Sequence, residues 1–198
     1  MTDLDRPLLF FAALRDDFRA HVPPEERGGR RSKKVVRACA VFITSSGFHL
    51  TVLYRLAYVA RHRMGIAGRM IAAVFFWLGR HLYGCAIAPT ARIGGGLILP
   101  HPQGIVVGAG AVVGPRAWIF QGVTIGGAPE RSGMPTIGTD ARIYAGAVVS
   151  GPIRIGDNVL IGANAVVGRD IPARSIVKSA AVDIAPLPEK FVVESSSL

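Results

Sequence analysis

From residue 87 onward, aliphatic side chains return at every sixth position, a spacing that matches neither the helical turn nor the two-residue alternation of a sheet face. The series runs Ile87, Ile93, Leu99 and Ile105, then Val107, Val113, Ile119 and Ile125, then Ile137, Ile143, Val149, Ile155, Ile161 and Val167. Glycine often follows the aliphatic residue, as in Ile93-Gly94, Ile137-Gly138, Ile155-Gly156 and Ile161-Gly162, and a further small or β-branched residue commonly falls four places after it. A six-residue period predicts a parallel β-helix, in which each hexapeptide supplies one short strand and one corner of a triangular prism, with roughly 18 residues per coil. The aliphatic residue points inward, and stacked coils bury a continuous Ile/Val column. An ordinary parallel sheet would need crossover helices, and no helical pattern occurs between Ala86 and Lys178.

The first 84 residues follow a different period and read as helical. From Leu8 to Phe18 the apolar residues Leu9, Phe10, Ala13 and Leu14 recur at helical spacing, with Arg15, Asp16 and Asp17 expected opposite, toward solvent. Glu25 to Lys34 is charged and glycine-bearing, so a loop is expected there. A second helical region spans Val36 to Ala60, interrupted at Ser45-Ser46-Gly47, and a third spans Ala67 to Tyr83, stopped by Gly84. The chain therefore divides into a helical region over 1–84, a β-helix over 85–178 and a C-terminal tail over 179–198, an α+β organisation. The stretch from Pro186 to Leu198 is expected to be mobile.

The net charge of +10 is uneven: residues 1–84 carry 14 Lys/Arg against 6 Asp/Glu, and residues 85–198 carry 9 against 7. Such a basic half suits an anionic membrane face or an anionic substrate; without zinc spacing, aromatic RNA-binding pattern or helix-turn-helix signature, nucleic acid is not expected. Met70 to Gly79 is the most apolar stretch, bracketed by Arg69 and Arg80. It falls short of the roughly 20 residues of a spanning helix, leaving a buried helix or a surface anchor, hence peripheral membrane association through the basic half. Cys39 and Cys85 form no paired framework, and Asp3, Asp5, Asp16 and Asp17 stand where a signal peptide needs a basic start. A reducing, cytoplasmic location is expected, with no metal site.

Two interruptions break the hexad series. Between Ile105 and Val107 the register jumps by two, just after Pro100-His101-Pro102-Gln103-Gly104, which predicts a bulge carrying His101, the one histidine after residue 84. Between Ile125 and Ile137 the repeat gives way to Gly126 through Pro135 (GGAPERSGMP), a turn-rich segment expected to project as a loop. Breaks of this kind are where a solenoid places function.

The residues around these breaks carry a resemblance. Ala86 to Gly94 (AIAPTARIG), Leu97 to Gly108 (LILPHPQGIVVG) and Gln121 to Gly127 (QGVTIGG) together resemble the core of the serine acetyltransferases over about residues 80 to 178, and SSGFHLTVLYRLAYVARH resembles the helix before it. Related polysaccharide-pathway O-acetyltransferases share this core. The resemblance implies left-handed winding, acetyl-CoA as co-substrate, no metal, and a homotrimer with catalytic grooves between prisms. Whether trimers pair through the helical region stays open. It implies His101 as the general base toward an acceptor hydroxyl, and Gly127, Ala145 and Ala163 along the coenzyme A groove, with the Gly127 N–H facing the thioester oxygen.

The sequence departs from the family at the acceptor. The family carries an aspartate before the histidine, another at the position of Ala86, and an Arg-His pair where Gly133 and Met134 stand; here Pro100 precedes His101. Ala86, Pro100, Gln121 and Met134 are the expected acceptor-pocket residues, with Arg131 the candidate to replace the missing arginine. The family's segment at the adenine end of coenzyme A is replaced by Lys178-Ser179-Ala180-Ala181-Val182, leaving Lys178, Arg169 and Arg174 as candidates to attract phosphates. The acceptor is then serine, or a sugar, glycan or modified hydroxyl compound. A non-catalytic β-helix that binds a partner is the alternative.

Overall fold

A computed structural model describes residues 7–22, 36 and 40–179. The expected loop at Glu25 to Lys34, Cys39 and the tail from Pro186 lie outside the described residues. Three helices come first: α1 (Pro7–His21), α2 (Ser46–Arg63) and α3 (Gly65–Tyr83). Helical residues at 40–44 precede the expected interruption, where the Ser45 hydroxyl caps α2 by accepting the Phe48 N–H at 3.1 Å. Gly84 ends α3 in the left-handed region at φ 62°, where an L side chain would be strained.

The prism then winds through five coils. The first contains β1 (Ala86–Ile87) and β2 (Arg92–Ile93), closed by Ile98; the second β3 (Val106–Val107), β4 (Val112–Val113) and β5 (Trp118–Ile119). The third contains β6 (Thr124–Gly126), β7 (Thr136–Ile137) and β8 (Arg142–Ile143), and the fourth β9 (Val148–Ser150), β10 (Arg154–Ile155) and β11 (Leu160–Ile161). The fifth has β12 (Val166–Val167), Ile171 and β13 (Ile176–Val177). All pairings within the three faces are parallel: β1-β3-β6-β9-β12 on the first, β2-β4-β7-β10 on the second, β5-β8-β11-β13 on the third.

The aliphatic series lies inside, as its period requires. Ile87, Val107, Ile125, Val149 and Val167 stack in register on the first face, all buried. A second inward set sits two positions before each strand's inward residue: Cys85, Ala91, Leu97, Ala111, Ala117, Val123, Ala141, Ala147, Ile153, Val159 and Ala165 are all buried. Ile105 belongs to this second set, since Val106 pairs with Thr124. Leu99, beside the Ile98–Trp118 bridge, is therefore followed in the inward column by Val107, and the extra residues of the bulge lie between them. Cys85 packs at the prism's start, its thiol pushed up by burial, which fits a packing residue.

The helices close the open end of the prism. Tyr54 on α2 donates its hydroxyl to the Ala91 carbonyl at 2.8 Å and accepts the Ile93 N–H at 3.2 Å. Arg55 donates from Nε and Nη2 to Asp17 on α1 (2.9 and 3.2 Å), and from Nη1 and Nη2 to the Ile93 and Gly94 carbonyls (2.5 and 2.6 Å). Asp17 also accepts the Leu97 N–H at 2.9 Å. The expectation that Asp17 faces solvent is overturned: it is fully buried, because the first coil offers an edge N–H and α2 a guanidinium that satisfy its carboxylate.

Candidate active site

Backbone geometry brings His101 out of the prism. The bulge lies on the edge between the third and first faces, where each lower coil turns tightly. There the Gly122 N–H bonds the Gln103 carbonyl, the Gly146 N–H the Gln121 carbonyl and the Asn164 N–H the Ala145 carbonyl, at 2.8 to 2.9 Å. In the first coil the two flanking prolines cannot donate N–H groups to such a ladder, and the Gln103 N–H instead folds back on the His101 carbonyl at 2.8 Å. Pro102 is buried under the bulge while the His101 side chain is exposed. Among the described residues, no carboxylate contacts its ring.

A surface depression of about 660 Å³ surrounds this imidazole. The bulge supplies Pro100, His101, Pro102 and Gln103, the coil below supplies Gln121, and the helices supply Ser46, Leu82 and Tyr83. Apart from the imidazole, the described residues of this lining include no carboxylate, amine or guanidinium side chain. Burial raises the Tyr83 phenol above its usual range, so it stays protonated and available as a donor. Close packing sets the helical wall: a Cβ on Gly47 would stand 2.0 Å from the Leu99 carbonyl oxygen, so only glycine lets the start of α2 rest against the strand leading into the bulge.

The expected site residues divide between two edges of the prism. Pro100 and Gln121 line the depression with His101, and Ala86 opens β1 close to the bulge's return, its N–H bonded to the Ile105 carbonyl at 2.8 Å. Ala145 and Ala163 succeed Gln121 down the same edge, with Lys178 exposed beyond β13. Gly127 and Met134 lie instead on the edge between the first and second faces, where Met134 packs against the core and beside Gly127. Within one chain, Gly127 and Met134 are thus separated from His101 by the first face.

The turn-rich segment does not simply project. Arg131 donates from Nη1 to the Gly168 carbonyl at 2.8 Å, folding the loop back along its own prism, and it does not approach His101. The three cations expected near coenzyme A phosphates scatter: Arg169 falls on the first–second edge, Arg174 takes a left-handed corner between the second and third faces, and only Lys178 follows the His101 edge. Ser46, Leu82, Tyr83, Pro102 and Gln103 were not anticipated; Gly47 beside Ser46 was the one sequence signal that the helices press on this edge. Among the described residues, no group of three or more His, Cys, Asp or Glu side chains comes together as a metal site would require.

The prism has the architecture of hexapeptide-repeat proteins, and the family description "Bacterial transferase hexapeptide (six repeats)" matches residues 134–169. The chain is 39% identical over 137 residues to a Helicobacter pylori serine acetyltransferase, covering 68% of this chain and 78% of that one. It is 40% identical over 136 residues to a Synechococcus elongatus serine acetyltransferase, covering 67% of this chain but spanning 54% of that relative's length. Among solved structures, a Neisseria gonorrhoeae serine acetyltransferase in complex with serine superposes with a TM-score of 0.72 at 30% identity, covering 92% of this chain and 71% of that one. An Entamoeba histolytica isoform in complex with cysteine gives 0.74 at 25% identity, covering 91% and 62%. The chain belongs to the serine acetyltransferase family, a family of acyltransferases.

Proposed function

We propose that the chain transfers an acetyl group from acetyl-CoA to a hydroxyl acceptor, with His101 as general base. An alcohol is a poor nucleophile at neutral pH, and an imidazole within about 3 Å can take its proton as the oxygen attacks the thioester carbonyl. The tetrahedral oxyanion then collapses, the C–S bond breaks, and the imidazolium returns the proton to the leaving sulfur. Free coenzyme A and an O-acetyl ester are the products. The observation that carries this reading is the His101 ring, without a hydrogen-bond partner among the described residues and set in a depression large enough for a small hydroxyl compound.

Catalysis needs a second copy. His101, Ala145, Ala163 and Lys178 share one edge, whereas Gly127 sits on the other, so a cyclic homotrimer that sets unlike edges together would form each groove from two chains. The Gly127 N–H of one copy then faces the oxyanion generated beside His101 of the next. Ala145 and Ala163 leave room for the pantetheine arm, and Lys178 meets phosphate at its far end. A cytoplasmic site of action accords with the acetyl-CoA requirement; among the described residues no helix is long and apolar enough to cross a membrane.

Serine is the acceptor that the relatives' names supply. Among the described residues, one chain's share of the lining (Leu82, Tyr83, Pro100, Ser46 and Gln121) offers hydroxyl, amide and apolar surface but no charged group to clamp an amino acid's carboxylate, so unless the neighbouring chain supplies one, a neutral hydroxyl compound such as a sugar or glycan is favoured. The same lack of a carboxylate beside His101 favours the second reading, a non-catalytic partner-binding relative. Thiol release from acetyl-CoA, screened over serine, sugars and lipid-linked glycans, decides between them. Wild type is expected to release thiol with one acceptor class and His101→Ala to lose at least about 10²-fold in kcat. Thiol release that survives the substitution would reject the general-base role, and the absence of thiol release with every acceptor would favour the partner-binding reading.

A further inference from the structure

The acetyl-transfer reading makes no use of the outer face of α3. On this helix the buried side turns Gly68, Ala72 and Gly79 toward its neighbours, while Ile66, Met70, Val74 and Trp77 stand 80, 69, 56 and 55% exposed. Their spacing of four, four and three residues places them in one stripe along the helix. Arg69 and Arg80, both exposed, border it on one side. Soluble surfaces rarely leave so many large apolar side chains contiguous and uncovered.

The arginines beside the stripe, and the basic sequence in which α3 is set, indicate what covers it. From Arg27 to Pro129 the chain carries thirteen Lys/Arg and no Asp or Glu, with six of the basic residues clustered between Arg27 and Arg37. A second copy of α3 packed isologously on this face would set arginine against arginine with no carboxylate on either α3 to pair them. An anionic bilayer offers both complements at once, acyl chains for the stripe and headgroup charge for the arginines, whose stems can lie along apolar surface with the guanidinium in the headgroups. Among the described residues no helix is long and apolar enough to span, so contact would be in the plane of the interface.

We propose that α3 is an interfacial anchor that docks the protein on anionic lipid, through Ile66, Met70, Val74 and Trp77 inserted at the headgroup boundary and Arg69 and Arg80 beside them. The test is flotation of the full chain with vesicles of phosphatidylcholine alone and of phosphatidylcholine mixed with an equal share of phosphatidylglycerol. The protein should float with the anionic vesicles at low salt and be released at high salt. Removing both arginines (R69Q/R80Q) should weaken partition by roughly 25-fold, about fivefold for each charge. The double variant M70S/W77S should not float, while its melting temperature and oligomeric state match wild type. In a Trp118→Phe background, Trp77 emission should shift to the blue on anionic vesicles and stay unchanged on neutral ones. Equal flotation on both vesicle types, or flotation indifferent to both double variants, would overturn the proposal. So would an M70S/W77S protein that falls apart into smaller oligomers without lipid, since the face would then be covered by another copy.

Discussion

The prism and the helical plug that closes it hold their shape by opposite means. The prism repeats one contact many times: each strand of two or three residues adds one inward aliphatic side chain and one set of ladder hydrogen bonds, and its neighbours above and below do the same. The plug depends on a few unlike contacts, of which the fully buried Asp17 with Arg55 is the centre, joining α1, α2 and the first coil through five hydrogen bonds. Redundancy makes the prism tolerant of single changes, whereas loss of one partner in the plug strands a charge in a dry environment.

That contrast is sharpened by substitution. Asp17→Ala should destabilise by about 3–5 kcal/mol, because Arg55 would remain buried without its carboxylate; a loss below about 1 kcal/mol in denaturant unfolding would show that the plug is not organised around this pair. Within the prism, Ile143→Val, at a fully buried position between coils, should cost about 0.5–1.5 kcal/mol. A larger loss would mean that the column is less redundant than its repetition implies.

The smallest effect is expected at a prism corner. Arg116 and Asp140, both in left-handed turn conformation, form a two-pronged ion pair at 2.6 and 2.5 Å on the surface. The Arg116 hydrogen bond holds the Asp140 carboxyl below its usual range. A carboxyl lowered in the folded state contributes stability above the ordinary carboxylate range and loses it as pH falls through the folded value. Asp140→Asn should therefore cost only about 0.2–1 kcal/mol near neutral pH, shrink with added salt, and vanish in acid. A salt-independent loss would point to strain at φ 56° and not to the pair.

The two regions also differed in how far the sequence reveals them. A hexad period survives inspection because every coil repeats it, so the inward column from Ile87 to Val167 was readable residue by residue. The second inward set was not, since Ala91, Leu97, Ala117 and Val159 share no size, and Ile105 was assigned to the wrong column through a bulge whose extra residues shift the count. Asp17 was misplaced for a related reason. Its partner lies 38 residues away on another helix, and local periodicity assigns a charge to solvent unless something distant claims it. His101 was legible from the break in the repeat. Ser46, Leu82 and Tyr83 were not, because their place beside it is set by how helices dock on the first coil. The separation of Gly127 from His101 could have been counted: His101 comes before a first-face strand, β3, and Gly127 comes directly after one, β6.

That separation carries the account's central claim, and mixing two inactive variants tests it most directly. His101→Ala and Gly127→Phe, each without thiol release on its own, should recover activity when co-expressed, because a cyclic trimer of the two pairs an intact imidazole from one chain with an intact glycine from the next at about a quarter of its sites. Mixed oligomers that form and stay silent, or a lone chain that turns over, would contradict a site divided between two copies.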